Sequence, residues 1–124
     1  MKKFVYSTLF LLGIAQSASA QTYPERPITL VIPYTAAGIT DASGRLVAKK
    51  LSERLGQPIV IENRPGAGGA IAVGALMAAA SDGYTIMQLP ITVYRLPYLQ
   101  KLSWDPSRDL VPVLQVSEVT FGIV

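Results

Sequence analysis

The sequence predicts an α/β protein built on a doubly wound, mostly parallel sheet, and three observations carry that prediction. A β-branched apolar run, Ile28-Thr29-Leu30-Val31-Ile32, is almost wholly hydrophobic, as a strand covered on both faces requires. A helix-patterned segment follows it, and the strand-then-helix pattern then repeats. Two such crossovers in succession argue for parallel strands with helices packed against them.

Each element can be justified in chain order. Tyr23-Pro24-Glu25-Arg26-Pro27 reads as an extended lead-in, because each proline biases its predecessor away from helix. Pro33 ends the first strand, and residues 34–38 form a turn. Thr40 or Asp41 offers a side-chain oxygen to cap a helix. Gly44, Val47, Ala48, Leu51 and Leu55 then recur at helical spacing, with Arg45, Lys49, Glu53 and Arg54 largely on the other face. Gly56 and Pro58 stop that helix. Gly44 inside it points to close packing on the sheet.

Residues 58–62 read as the second strand, 63–69 as a turn and 70–80 as a second, largely apolar helix. Ser81-Asp82-Gly83 turns into a third strand at 84–89. An irregular or single-turn segment is expected around 104–109, then a fourth strand at 111–116.

The N-terminus has its own logic. Met1-Lys2-Lys3 is basic, Phe4 to Ala15 is mainly apolar, and Ala18-Ser19-Ala20 is a small-residue cleavage pattern. That layout is a secretory signal peptide, so residues 1–20 are expected to be removed and the product to be periplasmic. Losing Lys2 and Lys3 leaves nine basic side chains against eight acidic ones. The net charge of +3 is therefore mostly the leader's, and no nucleic-acid partner is expected. Zero cysteines exclude disulfides and thiolate chemistry, and zero histidines remove the commonest general base and metal ligand. Neither a metal nor a cofactor is expected.

The stretch ENRPGAGGAIA, residues 62–72, carries the functional signal. A phosphate loop would need GK[ST] after its spacer, but Ala70-Ile71 follows Gly69. A dinucleotide fingerprint would need a third glycine where Ile71 stands. What Gly66, Gly68 and Gly69 can do is adopt positive φ and turn successive backbone N–H groups toward one point. They stand before a helix, where unpaired N–H groups and the helix dipole favour negative charge. Ala37-Gly38 and Thr40-Asp41 hold the corresponding position in the first unit. Both loops lie beyond the carboxyl ends of parallel strands, where ligands bind in open sheets. With no lysine in either loop, a carboxylate fits better than a phosphate. The alternative is structural: a tight glycine turn, Asp41 as a plain cap, Arg45 and Arg64 as solvated charges, and Tyr34 and Tyr84 as sheet-edge packing.

Four blocks in order, "YPERPITLVIPY…AGITD", "LGQPIVIENRPGAGGAIA", "SDGYTI" and "WDPSRDLVPVLQV", resemble the Bug family, the periplasmic solute-binding proteins of tripartite tricarboxylate transporters. The resemblance implies a two-domain, Venus-flytrap binding protein that closes on a small organic carboxylate and works with membrane subunits. It implies ligand contacts from loops matching Tyr34 to Asp41 and Ala67 to Ala70, among them Ala37, Gly38, Thr40, Gly68 and Gly69. The chain departs from the pattern at Ala37-Gly38, where the family has a glycine pair, and at Ala70-Ile71-Ala72, where it has Asn-Ile-Gly. Family members are more than twice this long, so residues 21–124 are expected to be the first lobe of a truncated chain, with the second lobe absent. A monomer without enzymatic activity is expected. The rival readings are a non-functional remnant and an α/β hydrolase or transferase fragment. The last would need a nucleophile and a base, and no G-x-S-x-G elbow is present.

Overall fold

The computed structural model of the chain describes residues 22–117. Residues 1–21, which include the expected signal peptide, and residues 118–124 lie outside them. In order, the elements are β1 (Ile28–Ile32), α1 (Ile39–Leu55), β2 (Ile59–Asn63), a 3-10 turn (Ala67–Gly69), α2 (Ala70–Ala78), β3 (Thr85–Met87), α3 (Thr92–Leu99) and α4 (Pro106–Asp109). The sheet is parallel, in the order β2-β1-β3. Ile28 stands opposite Ile59, and Thr29 opposite both Val60 and Thr85.

That order means the chain steps one way from β1 to β2, then back across β1 to β3. Right-handed crossovers in opposite directions place α1 and α2 on opposite faces, which is the doubly wound arrangement. On α1's face, Leu30, Ile32 and Ala48 form a buried cluster, with Ile59, Ile61 and Ile86 packed against it. Gly44 is what lets α1 approach. A Cβ there would stand 2.6 Å from Ile32 Cδ1 and 3.0 Å from Gln88 Oε1. Gly56 ends α1 in the left-handed conformation at φ 68°, its N–H donating to the Ser52 carbonyl. At the opposite end of the sheet, the lead-in is tied to the turn before β3. The Tyr23 hydroxyl donates to the Gly83 carbonyl at 2.7 Å, and the Arg26 guanidinium sits 3.9 Å above the Tyr84 ring.

Three expectations need correction. No strand forms at 111–116; residues 111–117 have no regular structure, and Val111, Val113 and Leu114 are exposed. Pro112 interrupts that run and removes a ladder donor, which demotes it as a strand. The cap of α1 is Gly38, two residues before Thr40 and three before Asp41, and Asp41 falls in the first turn instead. Helix α3 is an element not anticipated from the sequence. Pro97 stands inside α3, and burial of Val93 and Leu96 at i, i+3 spacing holds the helix around it.

Candidate functional site

All three strands end at one rim, and the loops that leave them enclose an open cleft of about 280 Å3. Its lining comes from the turn after β1 (Pro33, Tyr34, Thr35), the turn after β2 (Pro65, Gly66, Gly68, Gly69) and the segment after β3 (Pro90, Thr92).

The second turn is unusual in its backbone. Gly66, Ala67, Gly68 and Gly69 have φ of 122°, 48°, 63° and 102°, four positive values in a row. Glycine accepts such angles freely, whereas an alanine there is strained. Two internal bonds shape the turn: the Gly69 N–H donates to the Gly66 carbonyl and the Ala70 N–H to the Ala67 carbonyl. The N–H groups of Ala67 and Gly68 meet no acceptor among the described residues. Helix α3 seats directly on the turn. A Cβ on Gly69 would lie 2.9 Å from Val93 Cγ2, and one on Gly68 3.3 Å from Leu96 Cδ2. The Thr92 hydroxyl adds a 3.2 Å bond to the Gly68 carbonyl.

The first turn is held from behind by Asp41, only 2% exposed. Its Oδ2 accepts from the Ala37 N–H at 2.9 Å and from Arg45 Nε at 2.8 Å, and its Oδ1 accepts from Asn63 Nδ2 at 2.9 Å. These donors, Arg45 first, then Asn63 and the Ala37 amide, hold the carboxyl down at a pKa of about 2. The same contact raises Arg45 above its usual range. Asn63 also donates to the Tyr34 carbonyl at 3.0 Å, so one side chain at the end of β2 clamps both the first turn and the start of α1. Ala37 itself is held at φ 68°.

Of the residues expected at a ligand, Tyr34, Gly68 and Gly69 line the cleft. Ala37, Gly38, Thr40, Ala67 and Ala70 lie in the same two turns and helix starts without lining it. Asp41 is spent on protein donors and shapes the turn from within. Sequence reasoning missed Asn63, Thr92 and the three prolines. A signal for Asn63 existed: a polar residue closing an apolar strand must find partners.

The sequence model described as "Tripartite tricarboxylate transporter family receptor" matches residues 44–124. The chain belongs to that family, whose members are solute-binding receptors and not enzymes. Among curated relatives, it is 44% identical over 118 residues to a UPF0065 protein in the gbd 5′ region of Cupriavidus necator, covering 95% of this chain and 36% of that one. It is 40% identical over 116 residues to protein BugT of Bordetella pertussis, covering 90% and 35%. The chain thus spans about a third of the length of these relatives. Its fold matches a solved TctC solute binding protein from Polaromonas at TM-score 0.65 and 33% identity, over 68% of this chain and 30% of that one. It also matches MatC from Rhodopseudomonas palustris with bound malate, at TM-score 0.60 and 34% identity over 70% and 30%. R. palustris Rpa4515 with adipate matches at 0.51 and 46%, over 52% and 22%. The expected family and fold class are confirmed, this being the part of such proteins that the chain covers.

Proposed function

We propose that this protein is the extracytoplasmic solute-binding subunit of a tripartite tricarboxylate transporter, capturing a small organic carboxylate and presenting it to the membrane subunits. One observation carries the reading. The 66–69 turn holds four successive positive φ values, two of its N–H groups are unclaimed, and it stands at a helix start across a cleft from the first turn. Successive amides of this kind form an anion-binding concavity, and the α2 dipole adds to it. In this reading the carboxylate rests on backbone groups of the 66–69 turn and the 34–38 turn. Tyr34, Ala37, Gly38 and Thr40 bound it on one side, and Ala67, Gly68, Gly69 and Ala70 on the other. Asp41 positions the first turn. Residues 21–124 act as the N-terminal lobe, residues 1–20 as a cleaved export signal, and the receptor works as a periplasmic monomer.

The test is ligand-dependent thermal stabilisation of the intact protein against a panel of organic acids, each paired with its uncharged amide. A binder at 100 times its Kd should contribute about 2.7 kcal/mol of apparent stability. At least one acid should raise Tm while its amide does not. Equal shifts from acid and amide, or none from any acid, would refute carboxylate capture. Mass spectrometry of the exported product checks the leader: a chain beginning at Gln21 is expected, and retained Met1 would count against it.

A further inference from the structure

Beyond its amide donors and the hydroxyls of Tyr34, Thr35 and Thr92, the cleft is lined by hydrocarbon. Pro33, Pro65 and Pro90 each stand just past a strand and line it, together with glycine backbone and Tyr34. No amine, guanidinium, carboxylate or carboxamide is among the lining residues. Of the three side-chain hydroxyls there, that of Thr92 is already donated to the Gly68 carbonyl. Two isoleucines stand beside the lining residues without being among them. Ile71 stacks on the second turn, its Cδ1 2.7 Å from where a Gly66 Cβ would be, and Ile91 stands between the lining residues Pro90 and Thr92. They remain 52% and 58% exposed, at helix starts where polar side chains are the rule.

A carboxylate held here by backbone amides would lay its carbon chain against this wall. Among the lining residues, a hydroxyl on that chain would find only the Tyr34 and Thr35 side chains as uncommitted polar partners, and polar groups left unpaired on binding are what sites discriminate against most strongly. We infer that the solute is an organic acid whose chain next to the carboxylate is unsubstituted hydrocarbon, an aliphatic acid or diacid and not a hydroxy or polyhydroxy acid. The inference rests on the carboxylate reading above and narrows it to a substrate class. The two ligand-bound relatives span both chemistries, adipate being hydrocarbon between its carboxylates and malate carrying a hydroxyl.

Matched pairs test it by calorimetric titration of the intact protein: adipate against galactarate, and hexanoate against gluconate. Each pair keeps carbon number and carboxylates and changes only the hydroxyls. The hydrocarbon member of at least one pair should bind tenfold or more tightly than its partner. Ile71→Thr, which keeps the β-branch at an exposed position, should shrink that ratio at least threefold. A hydroxylated member that binds as tightly or tighter overturns the inference and leaves carboxylate capture standing. Failure of all four to bind overturns it as well, and it removes carboxylate capture too only if the broader acid panel is also silent. An unchanged ratio in Ile71→Thr overturns the apolar wall.

Discussion

Replacing Gly69 by alanine should damage the fold and the cleft together. Gly69 sits at φ 102°, ψ −6°, beyond the left-handed region that an L-residue enters. Holding alanine there costs on the order of 1–3 kcal/mol. Its Cβ would stand 2.9 Å from Val93 Cγ2, and Val93 is fully buried at the heart of α3's contact, so it cannot swing aside. Overpacking of that kind costs roughly 1–3 kcal/mol more. The sum, about 2–6 kcal/mol, is a large part of the 5–15 kcal/mol typical of a domain. Guanidinium denaturation of the intact protein, reading the midpoint and m together, measures it. Val93→Ala removes the methyl but not the φ strain, so the double variant should be less destabilised than the sum of the singles by about 1–3 kcal/mol. Additive effects would mean the Val93 contact is not what excludes a side chain. An unchanged midpoint in Gly69→Ala would refute the backbone argument altogether.

Three further predictions follow from the loops. Asn63→Ala strips donors from the Tyr34 carbonyl and from Asp41, and should cost about 1–3 kcal/mol by thermal unfolding; no change would mean water replaces the amide freely. Because the Asp41 carboxyl is held near 2 against an ordinary 3.8, its contribution is fully present above about pH 4 and is lost as pH falls toward 2. Asp109, lowered chiefly by Arg108, acts in the same direction. Stability measured from pH 6 down to 2 should therefore fall below pH 4, and less steeply in Asp41→Asn, whose side chain does not titrate. Ala37→Gly relieves a left-handed alanine at φ 68° and should raise stability by about 1 kcal/mol; a loss would show that Asp41 holds the turn without strain.

The alternation of strands and helices was legible because β1 and α1 obey local rules: apolar β-branched residues in one, an amphipathic repeat closed by Gly56 in the other. The 66–69 turn was legible because glycines before a helix have few uses. What lay hidden depended on contacts far apart in sequence. Helix α3 exists because Val93 and Leu96 find the glycine faces of a turn some 25 residues earlier, and Pro97 masks that local signal. The strand expected at 111–116 is absent for the converse reason: its β-branched residues suit a strand locally, but Pro112 breaks the ladder and no neighbouring strand among the described residues pairs with it. Asp41 was legible as a helix-start acid, but its orientation was not. Nothing local reveals that Arg45 and Asn63 converge on it and turn it away from the cleft.

Two alanines in left-handed backbone, Ala37 and Ala67, bring the same logic to both turns. Each conformation costs on the order of 1 kcal/mol in isolation and persists only when its surroundings over-determine it. For Ala37 the restraint is polar: the buried Asp41 carboxylate takes its N–H, and Asn63 takes the Tyr34 carbonyl three residues before it. For Ala67 it is apolar: α3 packs on the glycines that follow, and Thr92 holds the Gly68 carbonyl. The Ala67 and Gly68 amides thus stay unclaimed because packing by α3, together with the Gly69 and Ala70 hydrogen bonds, fixes the turn around them. Anything that frees α3 from the glycines would let the 66–69 turn relax toward ordinary angles and satisfy its own N–H groups. The donors offered to an anion would disappear with the strain that displays them.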